Sequence, residues 1–178
     1  MRVLESRRLT GPGLVLDGPG AVLDLMVDPT HREAAEAAWR DAVGRLLVEI
    51  GWRDEQVRVR EFGSGVSLAF TAPPDVLYAA VELNELAWSM AQAAMAGTAP
   101  PHSGIEQLRS MIAAERNPAL LAMRAAAREH GVTFLHGEEL VSVGSGRSPK
   151  RLSPSSSHSA AASSPPSGWA PEHERRDS

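Results

Sequence analysis

Apolar and polar residues alternate along this chain with two different periods, and the period changes mark its elements. The clearest stretch is Ala35, Ala38, Trp39, Ala42, Val43, Leu46, Leu47 and Ile50, spaced three and four apart, which predicts one helix with a single apolar stripe ending at Gly51. Thr30 and Glu33 stand before it at capping-box spacing, where a hydroxyl and a carboxylate each satisfy an orphaned backbone donor. The pattern then drops to period two over residues 57–62 and 66–71, around Gly63, Ser64 and Gly65, and this predicts a hairpin. Earlier, residues 2–6, 14–17 and 21–28 read as strands, the last two joined through Gly18, Pro19 and Gly20.

Three further helices follow. The first starts after Pro73 and Pro74, runs to about Gly97 and is expected to bury Val76, Ala80, Leu83, Ala87, Met90 and Ala94. The next has Ser103 and Glu106 as a capping box and Ile105, Leu108 and Ile112 as its inner face. The last opens at Asn117 as N-cap with Pro118 in the first helical position, where a missing N–H costs nothing, and closes at His130 and Gly131. Residues 132–135 and 140–143 read as short strands around His136, Gly137 and Glu138. The expected fold is α+β: a two-layer domain with a mostly antiparallel sheet covered by helices, the β-α-β-β-α order of residues 21–97 matching a ferredoxin-like arrangement.

Composition sets the boundaries. Residues 1–146 form one domain of ordinary size. Residues 147–178 contain ten serines and five prolines, too little apolar surface to offset the cost of ordering a backbone, so this tail is expected to be disordered. Hydrophobic residues make up 43% of the chain but aromatic ones only 4%, which predicts an aliphatic core with Trp39 and Trp88 as its largest members. The tail carries five Lys/Arg against three Asp/Glu, so of the net charge of -4 the body bears -6. That disfavours nucleic acid as a partner. With no cysteine there is neither a disulfide nor a thiolate nucleophile. The first residues lack a secretory apolar run and no stretch has the length of a membrane span, which points to a cytoplasmic protein with no membrane partner.

Candidate chemistry is sparse. The chain's one lysine, Lys150, lies in the tail, and no G-x-x-x-x-G-K-[ST] phosphate loop occurs. Arg58 and Arg60 occupy alternate strand positions opposite Val57 and Val59, so both guanidinium groups project from one sheet face. Together with Arg7 and Arg8 they make a candidate carboxylate-binding patch, since the planar fork of arginine accepts carboxylates in pairs of bonds. On the second helix Asp75, Tyr78, Glu82, Glu85 and Ser89 share a face, and Glu82 and Glu85 are candidate partners for guanidinium groups or an acid–base pair for hydrolysis. For both sets a solvated surface is the plainer alternative. Gly144, Ser145, Gly146 and Arg147 read as a loop rather than a phosphate turn, because neither a third glycine nor a following helix accompanies them. His31, His102, His130 and His136 show no metal-ligand spacing.

Two motifs carry a family resemblance. The opening run from Arg2 through Leu4, Glu5, Arg7, Leu9, Gly11 and Pro12 resembles the "LE-x-R-x-L-x-G-P-N" start of cyanophycin synthetases and related Mur ligase-like proteins, with Gly13 where the asparagine is usual. The segment from Gly131 and Val132 to Leu140, Val141, Gly144 and Gly146 is similar to the family's "R-G-I-P … L-V-Q-L-G-x-G" junction. The resemblance covers about 145 residues and implies an N-terminal domain, residues 117–146 being the link toward ligase domains. In that family ATP and Mg serve the ligase domains; nothing after Gly146 matches them, so no cofactor and no catalytic residue is implied for this chain. The implied role is to hold an Asp/Arg polymer or acidic peptide, and Arg7, Arg8, Arg58, Arg60, Glu82 and Glu85, read above from their strand and helix positions, are the residues expected to bind it. Ligase domains or further copies of the chain are the implied protein partners. Two other readings stay open: a small hydrolase or regulatory domain using the acidic helix face, and a frameshifted fragment without function.

Overall fold

The structure, a computed structural model, describes residues 1–100, 104–136, 141–144 and 150–152. Its elements run β1 (Arg2–Leu9), β2 (Gly20–Met26), α1 (Pro29–Glu49), β3 (Val57–Phe62), β4 (Gly65–Thr71), α2 (Leu77–Ala96), α3 (Gly104–Glu115), α4 (Pro118–Glu129), β5 (Thr133–His136), β6 (Val141–Gly144) and β7 (Lys150–Leu152). The first four strands form one antiparallel sheet in the order β1-β2-β4-β3. Strands β2 and β3, joined through α1, thus flank β4, which is the split β-α-β expected of the ferredoxin-like pattern. β5, β6 and β7 form a second antiparallel sheet.

Period-two alternation in β2 and β4 decides which face the helices cover. Ala21, Leu23 and Leu25 on β2 stand opposite Phe70, Leu68 and Val66 on β4, and all six are buried with Ala35, Trp39, Val43 and Leu46 of α1 and Ala80, Leu83 and Ala87 of α2. Burying each large aliphatic or aromatic side chain contributes about 1.5–3 kcal/mol, so this layer supplies most of the drive to fold. Inside it, Trp39 Nε1 donates to Asn84 Oδ1 at 2.9 Å, and Asn84 Nδ2 donates to the Leu68 carbonyl at 3.0 Å. Trp88 is buried as well, which bears out the core reading of both tryptophans.

The helix ends are fixed less locally than the capping motifs imply. For α1 the cap is Asp28, not Thr30: its Oδ1 accepts from both Thr30 N–H (2.9 Å) and the Thr30 hydroxyl (2.6 Å), and Pro29 takes the first helical position. For α2 the N-cap is Val76, which has no side chain able to accept. The acceptor comes from α3, whose last residue Glu115 receives Tyr78 N–H and Ala79 N–H at 2.8 Å each. Asp75 faces the other way and accepts Asn117 N–H at 3.1 Å, while Asn117 caps α4 by accepting Leu120 N–H at 3.1 Å. These bonds join α2, α3 and α4 at one corner.

Four further sequence expectations change. Residues 14–17 do not form a strand; β1, reaching as far as Leu9, pairs with β2 instead. Leu14 stays 87% exposed while Leu16 turns inward, an irregular path closed by Gly13 N–H on the Leu16 carbonyl at 2.8 Å. Gly20 accordingly opens β2 rather than ending a turn, and a Cβ there would lie 2.1 Å from the Phe70 carbonyl oxygen, so only glycine fits. Ala94 is exposed, because the buried stripe of α2 ends at Ala91. Lys150–Leu152, placed in the tail by composition, form β7 against β6. The capping residue Ser103, residues 137–140 with the expected strand residue Leu140, residues 145–149 and the tail from 153 onward lie outside the described residues. Among the described residues no helix is long and apolar enough to cross a membrane.

Candidate functional site

The face of the sheet away from α1 and α2 carries cross-strand rows of side chains, two of which end on Arg58 and Arg60. Residues directly opposite one another across antiparallel strands share a face. One row therefore reads Arg7, Val22, Ala69, Arg58 across β1, β2, β4 and β3, and the next reads Glu5, Asp24, Ser67, Arg60. With neighbouring strands about 4.8 Å apart, Arg7 and Arg58 begin roughly 14 Å from each other, whereas Arg58 and Arg60 begin about 7 Å apart along β3. Leu16, from the segment between β1 and β2, packs on Val22 and Ala69 in the middle of the first row.

The second row stays open. A groove of about 400 Å³ is lined by Arg7, Asp24, Ser67 and Arg60 together with apolar Leu9, Leu14, Val15 and Phe62. At its floor Asp24 Oδ1 accepts the Ser67 hydroxyl at 2.6 Å and Asp24 Oδ2 accepts Arg7 Nη1 at 2.5 Å. Arg7 Nη1 also reaches Glu5 Oε2 at 2.8 Å. The bond from Asp24, and then its charge and that of Glu5 against the opposing effect of burial, hold the Arg7 guanidinium above its ordinary pKa. Arg7 is thus already occupied by carboxylates.

Arg58 and Arg60 are not. Arg60 Nη1 donates to the Leu14 carbonyl at 3.2 Å, and Arg58 donates to Gln56 Oε1 at 3.0 Å and to its own neighbour's carbonyl on Val57 at 3.4 Å. Every one of these acceptors is neutral. Among the described residues no carboxylate pairs with either guanidinium, and both side chains are exposed.

The other expected site residues lie across the sheet. Arg8 points to the helix layer, stacked with its guanidinium carbon 4.1 Å from the centre of the Tyr78 ring. Arg8 shares a groove of about 390 Å³ with Tyr78, Val81, Glu82 and Met111, so the structure does not place it with Arg58 and Arg60. Glu82 and Glu85 line an adjoining groove of about 250 Å³ between α2 and α3, with Ser89 and Gln107. Of the helix face read from the sequence, Tyr78, Glu82, Glu85 and Ser89 are exposed, but Asp75 is buried beneath α4's cap. Arg7 lines both the sheet-face groove and the Arg8 groove, and Glu82 lines both grooves beside α2. The three therefore run on from one another over the β1 edge.

Asp24 is the residue that sequence reasoning missed. Its signal is plain in hindsight: it is the one charge in the strand Gly20–Met26, every other member of which is apolar. No protein-family model matches this chain, and no curated protein is significantly similar to it.

Proposed function

We propose that this domain is a tethering module that binds carboxylate-rich chains, an Asp/Arg polymer or an acidic peptide, in the manner implied by its resemblance to the N-terminal domains of cyanophycin synthetases and Mur ligase-like proteins. The observation that carries the reading is the pair Arg58 and Arg60. Two cations two residues apart on one exposed sheet face, holding only neutral acceptors among the described residues, keep their strongest hydrogen bonds for an incoming carboxylate. The adjoining grooves extend the surface toward Glu82 and Glu85, which offer carboxylates to the basic side chains of the same polymer. In this reading the chain performs no chemical step itself; ATP and Mg belong to ligase domains, and its setting is the cytoplasm.

Exposed ion pairs contribute about 0–1 kcal/mol each, so affinity has to come from many repeats binding at once. Titration of long and short Asp/Arg polymers at low and high salt tests this directly. Binding should strengthen with length, weaken with salt, and fall several-fold in an Arg58→Ala, Arg60→Ala double variant. Binding independent of length and salt, or undiminished in the double variant, overturns the reading.

A further inference from the structure

We propose that β3 takes up an extended peptide as an additional strand, and that the peptide it fits alternates acidic with apolar residues. This rests on the carboxylate-binding reading of Arg58 and Arg60 and adds the partner's pattern and its mode of binding.

β3 is an edge. The sheet order ends on it, and among the described residues no strand lies outside it, so its outward N–H and C=O groups are available for a new ladder. Over residues 57–60 its two faces differ sharply; beyond them Glu61, paired with Arg32, continues the helix side and Phe62 the other. Arg58 and Arg60 project on the helix-free side, both exposed and both bonded only to neutral oxygens among the described residues. Val57 and Val59 project on the helix side, half-buried at the rim of the core beside Phe70 and Leu68. A strand laid alongside sends successive side chains to opposite faces. Residues of one parity then stand beside the arginines, where carboxylates are favoured, and residues of the other stand beside the valines, where apolar side chains continue the core.

The same geometry argues against a second copy as the occupant. Antiparallel pairing of β3 with itself, centred on Val59, sets Arg58 opposite Arg60 of the other molecule twice over, and like charges directly opposite are destabilising. A partner of opposite charge meets no such penalty.

The test uses the full chain and a labelled, end-capped eight-residue peptide alternating Glu and Val, with two backbone-methylated versions, one N-methylated at every Glu and the other at every Val. In a strand the N–H groups of one parity face the protein and those of the other face solvent. One methylated version should therefore bind at least about tenfold more weakly than the parent, and the other within about threefold. The Arg58→Ala, Arg60→Ala double variant should weaken the parent peptide and flatten its salt dependence. Equal effects of the two methylation patterns would overturn strand addition while leaving the carboxylate-binding reading intact. Loss of salt-dependent binding of both this peptide and the Asp/Arg polymer would overturn the two together. A dimer in sedimentation that the peptide fails to dissociate would assign the edge to a second copy and likewise overturn the proposal.

Discussion

Trp39 and Asn84 meet across the α1–α2 interface, the indole N–H donating to the amide oxygen at 2.9 Å with both residues wholly buried. Asn84 also donates to Leu68 on β4, so a single side chain connects both helices with the central sheet. Replacing Asn84 by leucine keeps the volume but leaves the Trp39 N–H buried without an acceptor and removes a donor from the Leu68 carbonyl. The expected loss is about 2–4 kcal/mol of folding stability, read from urea unfolding. A loss within about 0.5 kcal/mol would show that the bond adds nothing beyond packing.

That pairing marks where sequence reading stops. The apolar stripe containing Trp39 and the period-two runs of β3 and β4 are local properties, and they gave the helices, the hairpin and the antiparallel sheet. Asn84 looks from the sequence like any polar residue of an amphipathic helix, because its partners lie 45 and 16 residues away. The arginines divide in the same manner. Alternation alone puts Arg58 and Arg60 on one face and adjacent Arg7 and Arg8 on opposite faces of β1, but that Arg7 is the one to join them while Arg8 stacks on Tyr78 depends on the β1–β2 register. Asp24 could be seen as an anomalous charge in β2, but its bonds to Arg7 and Ser67 come only from pairing with β1 and β4.

Glu115 closes the N-terminus of α2 from another helix, giving its two carboxylate oxygens to Tyr78 N–H and Ala79 N–H. A carboxylate at a helix start caps the free backbone N–H groups by accepting from them, and the helix dipole favours its charge. Glu115→Ala should cost about 1–2 kcal/mol, and hydrogen exchange should accelerate at the Tyr78 and Ala79 amides ahead of the α2 centre. Unchanged exchange at these two amides would mean that the Glu115 bonds do not hold the start of α2.

Asp28 ties stability to pH. The Thr30 hydroxyl and then the Thr30 N–H donate to its carboxylate and hold its pKa below the ordinary aspartate value. A group whose folded pKa is depressed contributes stability above its unfolded pKa of about 3.9 and loses it as the pH falls through the lower folded value. Asp28→Ala should accordingly destabilise the protein at pH 7, and the difference from the parent should shrink toward acid. Parallel urea titrations at neutral pH and near pH 3 check the direction; a gap that widens in acid would contradict it.

Asp24 sets how much of the basic face is open to a ligand. Its carboxylate accepts both Arg7 and Ser67, and it is only 15% exposed, so Arg7 is largely spent inside the protein. In Asp24→Asn the amide keeps a partner for Ser67 but no longer offers Arg7 a charged acceptor. Arg7 then turns toward the groove it shares with Arg60. Stability should fall by about 1–3 kcal/mol, as expected for a partly buried charge-assisted bond. Affinity for a carboxylate-bearing peptide should rise, by roughly three- to tenfold at low salt, with a steeper salt dependence, because a second guanidinium now takes part. Asp24→Asn and Arg60→Ala measured singly and together separate the two effects. If the groove binds carboxylates, Arg60→Ala must cost more affinity in the Asp24→Asn background than in the parent, since both arginines then hold the same ligand. Strictly additive effects would mean that Arg7 stays out of the site even when released.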